Sequence, residues 1–327
     1  MVTSLAWNFA PGPSVRLDDS SLDALGPLQT VASDSRVTDL FVVGDGRVFA
    51  DRGEGSHLVT GLAVSAEQAT ELARSLIEAG GRHVDEATPL VDVRLGPGIR
   101  VHVALPPIAT EGAVISIRFQ RARNVSVSEL TEGWSDSVRR AVMGAVADHQ
   151  TLLITGAAGS GKTTLLQALM GLVSPRERIV VIEDVHELTI DHPHVVTLEC
   201  RQANLEGAGE ITLQRLVRET LRMRPSRLVV GECRGEEIRD LFQAFTTGHR
   251  GGAATLHANS LAEVPVRLDA LGAIAGLTSQ QVARQAHSAF DWVIHLDHPP
   301  GKPRSVTLGT LRLTVEGGLE VVPREQA

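Results

Sequence analysis

The 327-residue sequence contains few aromatic residues, few lysines and few cysteines. Aromatic residues make up 3% of the chain and tyrosine is absent, which argues against the base-stacking surfaces that bind single-stranded nucleic acids. The net charge of −8 at pH 7 likewise argues against nucleic acid or an anionic membrane as a direct partner. The two cysteines, Cys200 and Cys233, supply neither a disulfide framework nor a four-cysteine zinc site, so we expect a reducing compartment.

Long apolar runs are also missing from the sequence. No uncharged run approaches the length of about 20 residues that a membrane-spanning helix needs. Residues 1–7 lack the basic start and the long apolar core of a secretory signal peptide. The apolar content of 43% and the charged content of 21% are those of a globular protein that is large enough for two domains. We therefore expect a cytoplasmic protein.

The order of the predicted elements divides the chain into four segments. These are a flexible N-terminal arm (1–21), a small α+β domain (22–124), a polar linker (125–133) and an α/β domain (134–327). In the α+β domain, a hairpin is predicted around residues 44–46, and the capping box Ser65-Ala66-Glu67-Gln68 opens a helix. Further strands are predicted at 90–94, 99–105 and 113–119.

The second domain alternates apolar strands with amphipathic helices. Strands are predicted at 178–183, 195–199, 227–231 and 252–256, with helices at about 211–223 and 235–247. This alternation is typical of a parallel sheet that is covered by helices. Capping boxes are predicted at 260–263 and 278–281, and strands in the tail at 291–297, 306–315 and 319–322.

A phosphate-binding motif lies between an apolar strand and a helix at the start of this domain. The pattern G-x-x-x-x-G-K-[ST] and one further threonine occupy Gly156, Ala157, Ala158, Gly159, Ser160, Gly161, Lys162, Thr163 and Thr164. Glycines let backbone N–H groups surround an anion at a helix N-terminus. Lys162 is expected to reach the outer phosphates of ATP, and the Thr163 hydroxyl to hold Mg²⁺. The alternative is an ordinary glycine-rich turn.

Carboxylates follow two of the predicted strands. Glu183 ends one strand, with Glu187 just beyond it, and Glu232 ends another. Catalytic groups of open parallel sheets lie at the carboxyl ends of strands, so these acids are candidates for binding Mg²⁺ or activating water. Gly231 stands where an aspartate is common, and the sequence leaves open whether Glu232 orients water or binds the metal. The alternative is that these acids only mark strand ends.

Two histidines flank a glycine-rich turn and the strand at 252–256. His249 and His257 form either a weak metal pair, for which no third ligand is evident, or a sensor of the γ-phosphate. The second interpretation fits better, because an imidazole N–H is a suitable donor to phosphate oxygens. A lone histidine in such a place would more often be structural.

The motifs occur in a recognisable order. After the P-loop come Ile182-Glu183-Asp184, Leu221-Arg222-Met223-Arg224-Pro225, Val230-Gly231-Glu232-x-Arg234-Gly235 and Leu256-His257-Ala258-Asn259. Over about residues 36–298 the chain resembles the type II/type IV secretion ATPase superfamily, whose Walker A, Walker B and His-box segments these match. The eight-residue step from His249 to His257 resembles the tight-adherence and type IV secretion group, and the four-cysteine module typical of type II secretion ATPases is absent. The chain most closely resembles the tight-adherence (Flp) pilus assembly branch.

The resemblance implies an α/β protein with a RecA-like P-loop NTPase motor domain after a smaller α+β domain. It implies a homo-hexamer that hydrolyses ATP with Mg²⁺ on the cytoplasmic face of the cell membrane and acts on an inner-membrane assembly-platform protein. The work done would be pilus assembly or protein secretion. It also implies that Arg100 and Arg118 close over the nucleotide. Arg218, Arg222 and Arg224 lie on or just after the predicted helix before the Glu232 strand, and they are the alternative source of counter-charge.

Two rival functions stay open at this point. One is a nucleic-acid translocating or conjugal-transfer-associated P-loop ATPase, which the acidic charge and the scarcity of aromatic residues disfavour. The other is a regulatory module that binds a nucleotide without hydrolysing it. The presence of Lys162, Thr163, Glu183 and Glu232 argues against that module.

Overall fold

A computed structural model describes residues 19–96, 98–119, 125–201, 208–297 and 305–324. These residues fall into two compact units, the first ending at residue 119 and the second beginning at residue 125. Of the predicted arm, residues 1–18 lie outside the described residues, and residues 19–21 open a short helix. None of the helices in the described ranges combines the length and apolarity that a membrane crossing requires.

The first unit is an antiparallel sheet of six strands with a helix on one face. Its elements are α1 (Asp19–Asp23), α2 (Gln29–Ala32), β1 (Asp39–Val42), β2 (Arg47–Asp51), β3 (Ser56–Ala63), α3 (Ala66–Ala79), β4 (Leu90–Arg94), β5 (Ile99–Ala104) and β6 (Val114–Phe119). The strand order is β3-β2-β1-β6-β5-β4, and every neighbouring pair is antiparallel.

The core of this unit follows from the alternation of its strands. Buried and partly exposed residues alternate along β4, β5 and β6, and α3 packs on these strands. The predicted capping box of α3 is confirmed, because Ser65 Oγ accepts from the Gln68 N–H (3.2 Å) and Gln68 Oε1 accepts from the Ser65 N–H (2.8 Å). β3 was not predicted. It is an edge strand whose residues are mostly exposed, so it carries no apolar alternation.

The second unit is a sheet of eight strands between two layers of helices. Its helices are α4 (Val127–Leu130), α5 (Asp136–Ala147), α6 (Lys162–Met170), α7 (Leu213–Thr220), α8 (Glu237–Thr246), α9 (Val264–Ile274) and α10 (Ser279–Ala289). Its strands are β7 (Leu152–Gly156), β8 (Ile179–Glu183), β9 (Val195–Glu199), β10 (Arg227–Val230), β11 (Ala253–His257), β12 (Trp292–Asp297), β13 (Ser305–Leu313) and β14 (Leu319–Pro323).

The central strands of this sheet are parallel and buried on both faces. The order is β14-β13-β12-β7-β11-β10-β8-β9. The pairs β12–β13 and β13–β14 are antiparallel, and every other neighbouring pair is parallel. Leu152 and Ile154 pack on the side of α5 and α6, whereas Leu153 packs on the side of α8 and α10. Burial on both faces explains why these strands are continuous apolar runs. The predicted helix-covered parallel sheet is confirmed.

Two predictions about this unit were wrong. Residues 125–133 are not a polar linker, because they form α4, whose Val127 and Leu130 are buried in the core. The capping box at 260–263 does not form either. Ser260 caps nothing with its side chain, and Glu263 accepts instead from the backbone and side-chain N–H groups of Asn259. The capping box at 278–281 is confirmed.

Candidate functional site

The turn between β7 and α6 depends on glycine at two positions. β7 is buried over its whole length and ends at Gly156. A Cβ atom on Gly156 would lie 2.3 Å from the carbonyl oxygen of Leu296 on β12, so no larger residue fits there. Gly161 is the N-cap of α6 and has a left-handed φ of 98°. A glycine turn at a helix N-terminus is the arrangement that binds phosphate through backbone N–H groups.

The other residues of the motif complete this loop. Ala157, Ala158 and Gly159 lie between the strand and the helix, and Thr163 and Thr164 are half-buried in the first turn of α6. Ser160 is buried and its Oγ has no hydrogen-bond partner. A buried hydroxyl without a partner fits a loop that completes its hydrogen bonds with a bound anion.

The side chain of Lys162 is folded back over the loop. Its ammonium donates to the carbonyl oxygens of Gly156 (2.9 Å) and Ala157 (2.8 Å). Burial lowers the pKa of Lys162 to about 8, although the negative charge of Glu232 acts in the opposite direction. An arriving phosphate therefore competes with two carbonyl groups for an ammonium that already lies in the loop.

His257 links this lysine to Glu232. The residue ends β11, where it pairs with Gly156 of β7, and its Nδ1 lies 3.4 Å from Lys162 Nζ. Its Nε2 lies 2.6 Å from Glu232 Oε1, outside hydrogen-bond geometry. Burial, and then the positive charge of Lys162, lower the pKa of His257. Three residues that are far apart in the sequence thus form one contact chain at the carboxyl edge of the sheet.

Arg234 closes this chain on the other side of Glu232. Its Nε donates to Glu232 Oε2 (2.6 Å), and its Nη1 lies 3.6 Å from Asp184 Oδ2. Burial opposes the charge of the guanidinium, but the hydrogen bond to Glu232 and the charges of Asp184 and Glu187 raise the pKa of Arg234. In the sequence, Arg234 is part of a family motif, but nothing there predicts a role for it.

Glu183 fills the space beside Gly231. A Cβ atom on Gly231 would lie 2.8 Å from Glu183 Cγ and 3.0 Å from its Oε1, so the glycine makes room for this buried side chain. The carboxylate accepts from the backbone N–H groups of Glu187 (3.1 Å) and Leu188 (3.0 Å), and it lies 3.1 Å from His186 Nδ1. Its oxygens are thus engaged in holding the loop after β8, and the half-buried Glu187 is part of that loop.

The donors expected to hold Mg²⁺ fit that ion in part. Mg²⁺ is bound by oxygens, through one or two protein groups together with substrate phosphates. The Thr163 hydroxyl and the buried, unbonded Glu232 Oε1 suit this role, whereas the Glu183 oxygens are engaged by backbone amides. Within the described ranges, no three His, Cys, Asp or Glu side chains cluster in a way that could hold a metal by themselves.

His249 lies at the opposite edge of the sheet from His257. It precedes β11, where the Gly251 N–H donates to Thr151 Oγ1 and the Leu152 N–H donates to the Gly252 carbonyl, at the start of β7. The P-loop follows the end of β7. β11 runs from Ala253 to His257, and these four residue steps span about 13 Å at the usual rise per residue. The structure therefore does not bring His249 to the P-loop of its own chain.

Arg100 and Arg118 are paired in the first unit. They lie directly opposite each other on β5 and β6, and therefore on one face of the sheet. Arg118 is exposed, and Arg100 Nε lies 3.4 Å from Asp92 Oδ1. Both arginines thus lie on predicted late strands of the first domain, and their role towards the nucleotide stays a prediction.

His295 is a candidate residue that the sequence analysis missed. It is buried on β12 beside Thr155, and its Nδ1 lies 2.9 Å from Thr155 Oγ1, one residue before the P-loop. Burial lowers the pKa of His295, and the positive charge of Lys162 acts in the same direction. The only available signal was a histidine inside an otherwise apolar strand.

Comparisons with known proteins agree with this geometry. The family model described as "Type II/IV secretion system protein" matches residues 23–294. A "putative conjugal transfer protein" of Mycobacterium tuberculosis is 39% identical over 320 residues, 94% of this chain and 90% of that protein. Conjugal transfer protein TrbB of Rhizobium radiobacter is 30% identical over 292 residues, 87% of this chain and 86% of that protein.

A solved structure of the pilus retraction motor PilT with bound ADP has a similar fold. Its TM-score is 0.61 at 19% identity, covering 95% of this chain and 84% of that chain. This likeness confirms the predicted α/β class, with a RecA-like domain and a smaller second domain. The matches do not separate the branches of the family, so the tight-adherence branch stays a prediction. The chain belongs to the type II/type IV secretion ATPase superfamily.

Proposed function

We propose that this protein is a Mg²⁺-dependent ATPase whose turnover powers pilus assembly or protein secretion across the inner membrane. The observation that carries the proposal is the contact chain from Lys162 through His257 to Glu232, in a chain of this family. A P-loop lysine, a phosphate-sensing imidazole and a carboxylate are what ATP hydrolysis requires at one place. A module that only binds a nucleotide does not need a carboxylate that is connected to the P-loop lysine through a histidine.

The roles of the residues follow from their contacts. The loop from Gly156 to Thr163 binds the phosphates, and Lys162 moves from its two carbonyl partners to the outer phosphates. The Thr163 hydroxyl would hold Mg²⁺, which would supply counter-charge on the phosphates. Glu232 orients a water molecule and accepts its proton on Oε1. His257 contacts the γ-phosphate and couples the presence of that phosphate to the position of Glu232. Glu183 holds the loop that carries Glu187.

The wider assembly is part of the proposal. We infer a homo-hexamer that acts on an inner-membrane platform protein from the cytoplasmic side, where it associates peripherally with the membrane. Arg100 and Arg118 supply counter-charge for the γ-phosphate in that assembly, as arginines do in related motors. The family membership supports these inferences.

Phosphate release measured on paired variants tests the assignment of Glu232. Glu232→Gln keeps the size of the side chain but cannot act as a base, so we expect retained ATP binding and a loss of rate of about 10²-fold or more. Glu183→Gln is the matched comparison, because the amide can still accept from the amides of Glu187 and Leu188, and we expect a smaller loss. Normal turnover of Glu232→Gln would move the catalytic role to another acid.

A second function deserves its own test because of the names of the relatives. Two of them are described as conjugal transfer proteins, which favours a motor associated with DNA transfer. If this chain translocates DNA itself, single-stranded DNA should stimulate its ATPase strongly, and rising salt should abolish the stimulation. A rate that DNA leaves unchanged would favour the protein-secretion motor, in agreement with the net charge of −8.

A further inference from the structure

We propose that Arg234 orients the Glu232 carboxylate for water activation, an inference that rests on the proposed ATPase function. Glu232 follows the end of β10 and belongs to no helix or strand, so its side chain needs a partner that fixes its direction. Arg234, two residues later in the same loop, is the partner that the structure provides.

The contacts between the two side chains are confined to one carboxylate oxygen. Arg234 Nε donates to Oε2 over 2.6 Å, and Nη2 of the same guanidinium also contacts Oε2. Oε1 is therefore left without a guanidinium contact. It is buried, makes no hydrogen bond, and faces His257 Nε2 at 2.6 Å, on the side where His257 contacts Lys162. Arg234 thus anchors one oxygen and presents the other towards the P-loop.

Arg234 is itself held from two directions. Its backbone N–H donates to Oε1 of the buried Glu237, which also accepts from the Gly235 N–H over 2.8 Å. Its Nη1 lies 3.6 Å from Asp184, in the loop after the neighbouring strand β8. A guanidinium is a planar group with several fixed donors, so it can bind two carboxylates in set directions, which a lysine cannot do.

A purely electrostatic surface pair is the competing explanation. The Arg234 side chain is 55% exposed, and exposed ion pairs contribute little to stability. The Glu232 side chain is only 17% exposed, however, and its second oxygen, Oε1, is buried beside His257 and does not face the solvent. Orientation of the carboxylate and simple charge neutralisation predict different behaviour for a lysine at this position, because a lysine keeps the charge but not the planar array of donors.

The test compares Arg234→Met, Arg234→Lys and Arg239→Met in the full-length protein, with single-turnover ATP hydrolysis and ATP affinity as readouts. Displacing a catalytic group by about 1 Å costs up to about 10²-fold in rate, so we expect Arg234→Met to lose about 10- to 100-fold with ATP affinity little changed. Arg234→Lys keeps the charge but not the planar array of donors, so orientation predicts a loss close to that of Arg234→Met, and a rate near that of the wild type would overturn the inference. Arg239 is exposed on α8, and its replacement is the matched control that should leave the rate unchanged.

A double variant with Glu232→Gln tests whether Arg234 acts through Glu232. If Arg234 acts through Glu232, Arg234→Met should lower the rate of Glu232→Gln little further. A full additional loss in the double variant, an equal loss of ATP affinity, or an unchanged rate of Arg234→Met would each overturn the inference. Lack of hydrolysis by the wild-type protein would instead overturn the proposed function itself.

Discussion

Replacing Gly231 by alanine should disturb Glu183 and destabilise the second unit. The new Cβ would lie 2.8 Å from Glu183 Cγ, about 0.6 Å closer than ordinary contact, which starts at 3.4 Å. Gly231 is on the chain after β10, and its N–H donates to the Ile182 carbonyl of β8, so the backbone cannot easily move away. Glu183 must shift instead, and its hydrogen bonds to the amides of Glu187 and Leu188 must lengthen.

The cost follows from these two effects. Overpacking a buried site costs about 1–3 kcal/mol. Weakening a hydrogen bond to a charged group adds up to about 1.5–3 kcal/mol, and part of this is recovered by relaxation. We expect the free energy of unfolding to fall by about 2–4 kcal/mol, which lowers Tm by about 2–4 °C per kcal/mol for a unit of this size.

Thermal unfolding followed by tryptophan fluorescence measures this loss, because Trp134 and Trp292 lie in the second unit. Gly144→Ala is the matched control. Nothing lies within 4 Å of a Cβ at this position in α5, so we expect no loss and a gain of up to about 1 kcal/mol in helix propensity. Unchanged stability of Gly231→Ala would refute the argument that Glu183 needs the space beside this glycine.

The remaining predictions concern the nucleotide and pH. ATP and Mg²⁺ at a hundredfold excess over Kd should stabilise the wild type by about 2.7 kcal/mol and raise its Tm, and Lys162→Ala should lose this thermal shift. A full shift in the variant would contradict the role of Lys162. Arg100→Ala and Arg118→Ala should each lower kcat by up to about 10³-fold, with a smaller effect on ATP affinity. If both variants keep the kcat of the wild type, the counter-charge comes from residues 218–224. Because burial lowers the folded-state pKa of His295, its contribution to stability is present above the ordinary value of 6.5 and is lost as pH falls below it. His295→Gln should therefore flatten the decline of unfolding free energy with falling pH, and an unchanged decline would exclude this residue as its cause.

The sequence predicted those features that depend on neighbours along the chain. The strand before the P-loop, the glycines at Gly156 and Gly161 and the helix from Lys162 are local, and all are confirmed. The order of the strands is not local. It brings β11 beside β7 and thereby places His257 next to Lys162, which spacing alone does not reveal.

Because the arrangement of the strands is not a local property, the sequence also did not reveal that His249 lies away from the P-loop of its own chain. Two histidines eight residues apart look like a pair in the sequence, but a strand between them carries them to opposite edges of the sheet. The prediction of a linker at residues 125–133 was wrong for a different reason. Their polar composition suggested a linker, whereas the few apolar residues among them pack into the core after a capping box between Ser126 and Glu129.

The glycine at position 231 can be understood only when two strands are considered together. When β10 is considered alone, Gly231 stands where an aspartate is common, so a carboxylate is missing there. From β8, whose Ile182 pairs with Val230, it is the position that leaves room for Glu183 to turn back and accept from the loop after its own strand. The carboxylate beside Gly231 is therefore that of Glu183, which belongs to the neighbouring strand β8. Glu232 is not needed there, and Arg234 binds one of its oxygens while the other lies beside His257, on the side of the P-loop.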